Sequence, residues 1–244
     1  MLKKIKHFKL LLFSYVLKKP KPIYHIHIRK TGGTTINFAF LSNGEHKNTE
    51  AFYEELANKD NHKITRRKKT FVGWNKNIIN EGDYSYAFSH LPLHELNLKK
   101  NIFTITCFRD PLRRVISHYK MLLYFKENNI NHSCMKTEGK WLGNNFDDFL
   151  INLPKHHLLN QLYMFSKNYK IDEAIKNVKR VNKVLLTENL ENDLKDLERT
   201  INWRLPISTQ KKYDYNIEIT DKQINKLKEM LSPEYEMLKQ ILNK

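Results

Sequence analysis

The chain has 244 residues, of which 40% are hydrophobic and 28% charged, and its formal net charge at pH 7 is +17. This length allows a substantial core in one large domain or two small ones, and the two cysteines exclude a disulfide framework and favour a reducing compartment. The positive charge favours an anionic partner, such as nucleic acid, acidic glycan, a nucleotide or an anionic membrane; the alternative is a lysine-rich composition, since the lysines are spread along the chain.

Residues 1–19 are rich in lysine and contain an apolar stretch, residues 10–17. That stretch is far shorter than the roughly 20 apolar residues that span a bilayer. Lys18, Lys19 and Pro20 follow where a secretory signal peptide would have small residues, so we find no cleavage signal and expect a cytoplasmic location. Two interpretations remain open: a basic amphipathic helix lying on an anionic membrane, which would make the protein peripheral to it, or a first helix packed on the domain, which we favour.

The next stretch combines a strand, a glycine turn and a helix start. Residues 23–28 alternate and are β-prone, which predicts a short buried strand, and the apolar run of residues 36–41 predicts a helix with Thr34 or Thr35 near its N-cap. Glycines would let the backbone approach a phosphate, and the amide groups and dipole of a helix start favour negative charge. The alternative is an ordinary turn that needs two glycines. The candidate anion-binding residues are Lys30, Thr31, Gly32, Gly33, Thr34 and Thr35.

A second short strand is predicted at residues 86–88, and it ends in Ser89 and His90 before Pro92 stops it. Open α/β sheets bind their ligands beyond the carboxyl ends of their strands, so His90 is a candidate site residue. The alternative is a surface histidine in a loop. Upstream, the basic run of residues 66–69 is either a solvated face or, if it lines a cleft, a contact for an anionic acceptor.

The most strongly predicted strand is residues 102–108. Asp110 and Pro111 end it and begin a helix, with Asp110 as the N-cap and the proline at the first helical position. Arg109 then lies at the carboxyl end of the strand, and Ser117, eight residues later, lies in the second turn of the helix. Both side chains could face one pocket, where a guanidinium group and a hydroxyl suit a phosphate monoester.

Three features in this order resemble known enzymes: the glycine turn with its lysine first, then His90, then the pair Arg109 and Ser117. They are similar to sulfotransferases that use 3′-phosphoadenosine-5′-phosphosulfate (PAPS), in the carbohydrate branch related to heparan sulfate and uronyl 2-O-sulfotransferases. The resemblance implies that the turn binds the 5′-phosphosulfate and that Arg109 and Ser117 bind the 3′-phosphate. It also implies that His90 is the catalytic base and that Lys30 stabilises the leaving phosphate.

The resemblance extends from the first strand to the last helix, with several departures. Ser89 stands where this branch usually has glycine, Phe88 where the heparan enzymes have another histidine, and Arg29 where a proline commonly precedes the motif lysine. In relatives, a basic loop often closes over the nucleotide. Here Lys211 and Lys212 would supply it, the alternative being a solvated turn.

We therefore expect a PAPS-dependent carbohydrate O-sulfotransferase that acts on a surface polysaccharide or a glycolipid, with an acidic glycan suited to the positive charge. No metal ion is expected, because no cluster has metal-ligand spacing, and no nucleic-acid partner is expected. The competing hypothesis is a non-catalytic basic module that binds nucleic acid or acidic glycan, which explains the charge but not the ordered motifs. A nucleotide kinase is disfavoured because the lysine precedes the glycines.

The implied fold is a single α/β domain over residues 23–244, in which a short parallel sheet carries helices on both faces, as in the P-loop-like sulfotransferase fold. Residues 1–22 would form a separate basic helical segment. A further strand is predicted at residues 184–187. We expect the strands at residues 23–28 and 102–108 to pair in parallel.

Overall fold

The computed structural model describes residues 21–44, 48–57, 62–206, 215 and 217–242. Within these ranges the chain forms a six-stranded sheet with helices packed against it. The strands are β1 (Ile23–Ile26), β2 (Lys63–Arg66), β3 (Lys69–Gly73), β4 (Tyr86–Ser89), β5 (Phe103–Phe108) and β6 (Lys183–Leu186).

Helices connect and cover these strands. In chain order they are α1 (Gly33–Leu41), α2 (Thr49–Ala57), α3 (Lys76–Glu81), α4 (Pro111–Glu127), α5 (Ser133–Glu138), α6 (Phe146–Asn152), α7 (Lys155–Leu158), α8 (Asn160–Tyr163), α9 (Ile171–Val178), α10 (Leu190–Ile201), α11 (Asp221–Met230) and α12 (Ser232–Leu242). Short 3₁₀ turns lie at Leu93–Glu95, Gly139–Trp141 and Thr187–Asn189.

The sheet has the strand order β2-β3-β4-β1-β5-β6. β1 lies inside the sheet and pairs in parallel with β4 on one side and with β5 on the other. The pairs β3–β4 and β5–β6 are also parallel, whereas β2 is antiparallel to β3. The predicted parallel pairing of β1 with β5 is therefore confirmed. Because parallel strands run in one direction, the carboxyl ends of β1, β4 and β5 meet at the same edge of the sheet.

Two clusters of buried side chains cover the two faces of the sheet, because successive residues of a strand point to opposite sides. One cluster joins Phe88 of β4 to Phe40 of α1 and Leu194 of α10. The other joins Ile26 of β1 to Leu122 of α4, together with residues of α6, α9 and α12. The predicted α/β domain, with a mostly parallel sheet and helices on both faces, is confirmed.

The hairpin of β2 and β3 was not predicted. Its two turn residues, Arg67 and Lys68, have positive φ angles of 49° and 60°. Two-residue turns of this kind normally carry Asn-Gly or a similar pair, so the sequence has no turn signal here. Charged residues on an edge strand do protect a sheet from pairing with another chain, which gives the basic run a structural role.

The predictions for the N-terminal segment and for Lys211 and Lys212 concern residues outside the described ranges, apart from residues 21–22. The boundary between residues 1–22 and 23–244 therefore stays a prediction, as does contact of residues 1–19 with a membrane. In the part of the chain that the structure describes, no helix is both long enough and apolar enough to cross a membrane.

Candidate active site

The glycine turn joins β1 to α1 at the carboxyl edge of the sheet. Its N-cap is Gly32, and the predicted Thr34 and Thr35 lie near it, in the first turn of the helix. Gly32 has a φ of 81°, a left-handed conformation that glycine adopts without strain. No side chain of the described residues caps this helix start. The first-turn amide groups are therefore available to an anion, as the glycine motif predicts.

The three threonines of the turn have different surroundings. The hydroxyl of Thr31 is buried and donates a hydrogen bond to the Ile28 carbonyl at 3.0 Å, which holds the turn together. Thr34 is exposed and Thr35 half-buried, and both lie in the first turn of α1. Contact of the threonines with a nucleotide stays a prediction.

Lys30 lies in the turn with a φ of 66° and extends towards α4. Its ammonium group is 3.3 Å from the sulfur of Met121. Burial, and then the neighbouring charge of Arg109, lower the pKa of Lys30 to about 8. A cation in such surroundings gains much from a bound anion, because the anion restores the preference for the charged form.

Arg109 connects the two predicted phosphate motifs directly. Its Nη1 donates to the backbone carbonyl of Lys30 at 3.1 Å, and its backbone amide donates to Gln161 Oε1 at 2.9 Å. The side-chain amide of Gln161 in turn donates to Glu234 Oε2 on α12, at 3.1 Å. Burial lowers the pKa of the Arg109 guanidinium. The strand ends of β1 and β5 thus form one unit, supported from behind by the last helix.

Ser117 lies in the second turn of α4, where its side chain is half-buried. The start of α4 is as predicted, since Asp110 is the N-cap and accepts a hydrogen bond from the Arg113 amide at 2.8 Å. Within the described ranges, no hydrogen bond joins Ser117 to Arg109. Their shared contact with a 3′-phosphate therefore stays a prediction.

His90 follows the last residue of β4, at the same edge of the sheet. Its Nδ1 lies 2.7 Å from the carbonyl oxygen of His27, and the two imidazole rings are 4.2 Å apart. A carbonyl oxygen only accepts, so Nδ1 carries the proton and Nε2 has the lone pair. Burial, and then the charge of Arg29, lower the pKa of His90 to about 3. The ring is neutral at pH 7 and presents Nε2 as a proton acceptor.

A network that was not predicted lies next to this histidine. The guanidinium of Arg29 pairs with Glu138 at 2.5 Å, and the other carboxylate oxygen of Glu138 is 2.7 Å from His118 Nε2. Although burial acts in the opposite direction, the His118 hydrogen bond and the Arg29 charge hold the pKa of Glu138 below its ordinary value. Arg29 keeps 28% of its side-chain surface exposed. The sequence marks Arg29 only as a replacement for proline, because its partners lie on distant helices.

The basic run of residues 66–69 lies elsewhere. β3 is parallel to β4, and β4 to β1, so the turn that precedes β3 lies at the amino edge of the sheet, opposite the glycine turn. Arg66 pairs with Glu55, and the Lys69 ammonium lies 4.5 Å from the centre of the Trp203 ring. The run is therefore part of a partly solvated edge, and it does not line the edge that carries His90.

Within the described residues, no group of three or more His, Cys, Asp or Glu side chains could hold a metal ion. The family model described as "Sulfotransferase family" matches residues 14–240 of the chain. No curated protein matches. A crystal structure of mouse sulfotransferase SULT7A1 complexed with PAP is similar at 15% sequence identity and a TM-score of 0.33, over 91% of this chain and 67% of that one. Since the family match covers most of its length, this chain belongs to the sulfotransferase family, whose sulfuryl donor is PAPS.

Proposed function

We propose that this protein transfers the sulfuryl group of PAPS to a carbohydrate hydroxyl, on a surface polysaccharide or a glycolipid. The observation that carries the proposal is the position and tautomer of His90. Its proton-accepting Nε2 belongs to a ring that contacts the end of β1, the strand that leads into the glycine turn. A base beside an uncapped helix start suits attack by a hydroxyl on a phosphosulfate.

The donor nucleotide fits the residues at this edge. The open amide groups of the first turn of α1, together with Lys30, would hold the 5′-phosphosulfate. Arg109 and Ser117 would hold the 3′-phosphate, and the bond from Arg109 to the Lys30 carbonyl keeps the two phosphate sites in register. Burial lowers the pKa values of Lys30 and Arg109, so a bound anionic phosphate would stabilise the charged form of each side chain.

The chemical step moves one proton and one sulfuryl group. His90 Nε2 takes the proton of the acceptor hydroxyl while the acceptor oxygen forms a bond to sulfur. The bond between sulfur and the bridging oxygen breaks, and its electron pair remains on the 5′-phosphate of 3′,5′-ADP. Lys30 and the amide groups of the turn stabilise this developing charge.

The low pKa of His90 belongs to the protein without nucleotide. Arg29 disfavours the imidazolium form, and a bound nucleotide brings negative charges that oppose this effect. Donor binding would therefore strengthen His90 as a base.

The acceptor class is argued from the polar groups beside His90. Arg29 keeps 28% of its side-chain surface exposed, and its pairing with the buried Glu138 fixes the guanidinium, so it offers a held cation and hydrogen-bond donor that suits a polar or anionic sugar better than a flat phenol. The net charge of +17 favours an acidic glycan. The resemblance of the His90 motif to the carbohydrate branch supports the same class.

The test is a transfer assay with radiolabelled PAPS against polysaccharides, glycolipids, small phenols and tyrosyl peptides. We expect label in glycans only. Sulfation confined to phenols or tyrosyl peptides would overturn the acceptor class, whereas failure of calorimetry to detect 3′,5′-ADP binding would overturn the donor site. The competing function, a basic module without catalysis, predicts glycan binding with no transfer.

A further inference from the structure

His27 lies between β1 and the glycine turn, and its ring covers the first residue of α1. A Cβ atom added to Gly33 would lie 2.0 Å from both Cδ2 and Nε2 of this ring. The glycine is therefore required, because the imidazole occupies the space that any other side chain would need. His27 is only 5% exposed, and its Nε2 lies at the uncapped helix start.

A buried amide holds the other nitrogen of this ring. Asn37, one helical turn further along α1, has its Oδ1 2.7 Å from the hydroxyl of Tyr86 and 2.9 Å from Nδ1 of His25. Its Nδ2 lies 3.4 Å from Nδ1 of His27. In this arrangement the oxygen accepts two hydrogen bonds and the amide nitrogen donates one to His27.

The reverse orientation of the amide is disfavoured by His25. His25 Nε2 is buried without a hydrogen-bond partner. If Asn37 donated to Nδ1 of His25, the ring proton would be on that buried Nε2, as an N–H group without an acceptor. Buried N–H groups without a partner are rarer than acceptors without one, so His25 donates through Nδ1 and Asn37 presents its oxygen to it.

The consequence concerns the proton on His27. Since Nδ1 accepts from Asn37, the proton of the neutral ring is on Nε2, and no described residue accepts a hydrogen bond from it. Burial, and then the nearby His90, lower the pKa of His27 well below its ordinary value, so the ring stays neutral. His27 therefore has no free lone pair with which to act as a base, but its Nε2–H group lies beside Gly33, the first residue of α1.

We propose that His27 is a second catalytic residue, whose Nε2–H donates a hydrogen bond to a sulfuryl oxygen of PAPS, and that Asn37 is a positioning residue that sets its tautomer. The sulfuryl group is the expected partner because the His27 ring lies between the helix start and His90, where sulfur must meet the acceptor. The identity of the ligand rests on the proposed function. A neutral donor suits this place because it stabilises oxygen charge without repelling Lys30.

The tautomer is tested in the wild-type protein by two-bond ¹H–¹⁵N correlation spectra of the imidazoles. We expect the Nε2–H pattern for His27 and its loss in Asn37→Leu. An Nδ1–H pattern in the wild type would overturn the inference. This measurement needs neither donor nor acceptor, so it is independent of the proposed function.

The contact is tested by binding and turnover of His27→Phe and His27→Gln, with His94→Phe as a matched control from the 3₁₀ turn after β4. For His27→Phe we expect PAPS affinity to fall roughly tenfold relative to 3′,5′-ADP affinity and turnover to fall about 10²-fold. Glutamine keeps an N–H donor and should recover part of both. The control should match wild type in both measurements.

The alternative role of His27 is to fill space beside Gly33. If His27→Phe and His27→Gln weaken binding to the same extent, and each weakens PAPS and 3′,5′-ADP by the same factor, then His27 only fills space and the inference is overturned. The affinity ratio involves no acceptor, so a wrong acceptor class leaves this test intact. If His27→Phe fails to fold, His27→Gln decides between the two roles. A larger loss of PAPS affinity than of 3′,5′-ADP affinity supports the hydrogen bond, whereas an equal loss of both, with a lowered melting temperature, supports space filling.

Discussion

Two basic stretches of this molecule, residues 29–30 and residues 66–69, show how differently lysine and arginine can be used. Arg29 and Lys30 lie at the carboxyl edge of the parallel strands, where burial lowers the pKa of Lys30 to about 8. The other stretch turns between β2 and β3 at the opposite edge, where Lys69 lies over the ring of Trp203. In sequence, the second stretch has the larger number of charges, four against two. Position relative to strand direction, rather than the number of charges, distinguishes the proposed anion site.

The largest effect should come from the base at the carboxyl edge. His90→Ala removes the proposed acceptor of the hydroxyl proton, so turnover should fall roughly 10²–10⁴-fold. Affinity for 3′,5′-ADP should stay near wild type, since His90 does not belong to either phosphate motif. Radiolabel transfer and calorimetry on the same preparation measure both quantities. Loss of nucleotide affinity in this variant would make His90 a structural residue of the pocket.

The difference between the two basic stretches, residues 29–30 and residues 66–69, is tested most directly by removing one lysine from each. Lys30→Ala should lower turnover about 10²–10³-fold, because its charge matters most as the bridging oxygen becomes negative. Lys69→Ala should leave turnover at the wild-type level. The measurement is turnover at saturating PAPS, beside the dissociation constant of 3′,5′-ADP. Equal losses in the two variants would mean that net charge, not position, supports transfer.

The 3′-phosphate site should show a smaller loss, visible in binding. Arg109→Ala removes charge-assisted hydrogen bonds and should weaken 3′,5′-ADP by about 1.5–3 kcal/mol, and Ser117→Ala by about 1 kcal/mol. Arg67→Ala, at the exposed turn of the other stretch, is the matched control. Calorimetry that finds unchanged affinity in the Arg109 variant would remove the assignment.

The smallest effect concerns pH. A bound phosphate raises the pKa of Lys30 above its value of about 8 in the free protein, so nucleotide binding takes up a proton at higher pH. Affinity should therefore be level from about pH 7, where the phosphates are dianionic, to about pH 8, and should fall as pH rises further, by at most about tenfold per pH unit. Calorimetry at pH 8.5 in buffers of different ionisation enthalpy detects the proton uptake. Lys30→Ala should abolish it; the same uptake in that variant would locate the proton elsewhere.

Sequence reasoning succeeded where the signals are local. The glycines after β1 predict the turn, and Asp110 with its following proline predicts the start of α4, because caps and left-handed turns depend on a few neighbouring residues. The parallel sheet follows from alternating strands and helices. Within the turn, the sequence places Thr34 and Thr35 near the N-cap, and the φ of Gly32 identifies the N-cap residue itself.

The remaining features depend on contacts between distant parts of the chain. Arg29 pairs with Glu138, and Asn37 sets the tautomer of His27 through a network that includes Tyr86. No spacing rule connects these residues, since the partners of Arg29 and of His27 lie on other elements of the fold. The β2–β3 hairpin escaped detection for a different reason, because its turn residues lack the usual composition.

The hydrogen bonds behind Arg109 connect α12 to the proposed donor site. Glu234, on the final helix, accepts a hydrogen bond from Gln161, and Gln161 accepts one from the Arg109 amide. A truncation or fusion that displaces α12 would leave every proposed phosphate-binding residue in the sequence, and we still expect it to weaken nucleotide binding. Engineering of this enzyme should therefore treat the last helix as part of its catalytic domain and attach tags beyond it through a flexible linker.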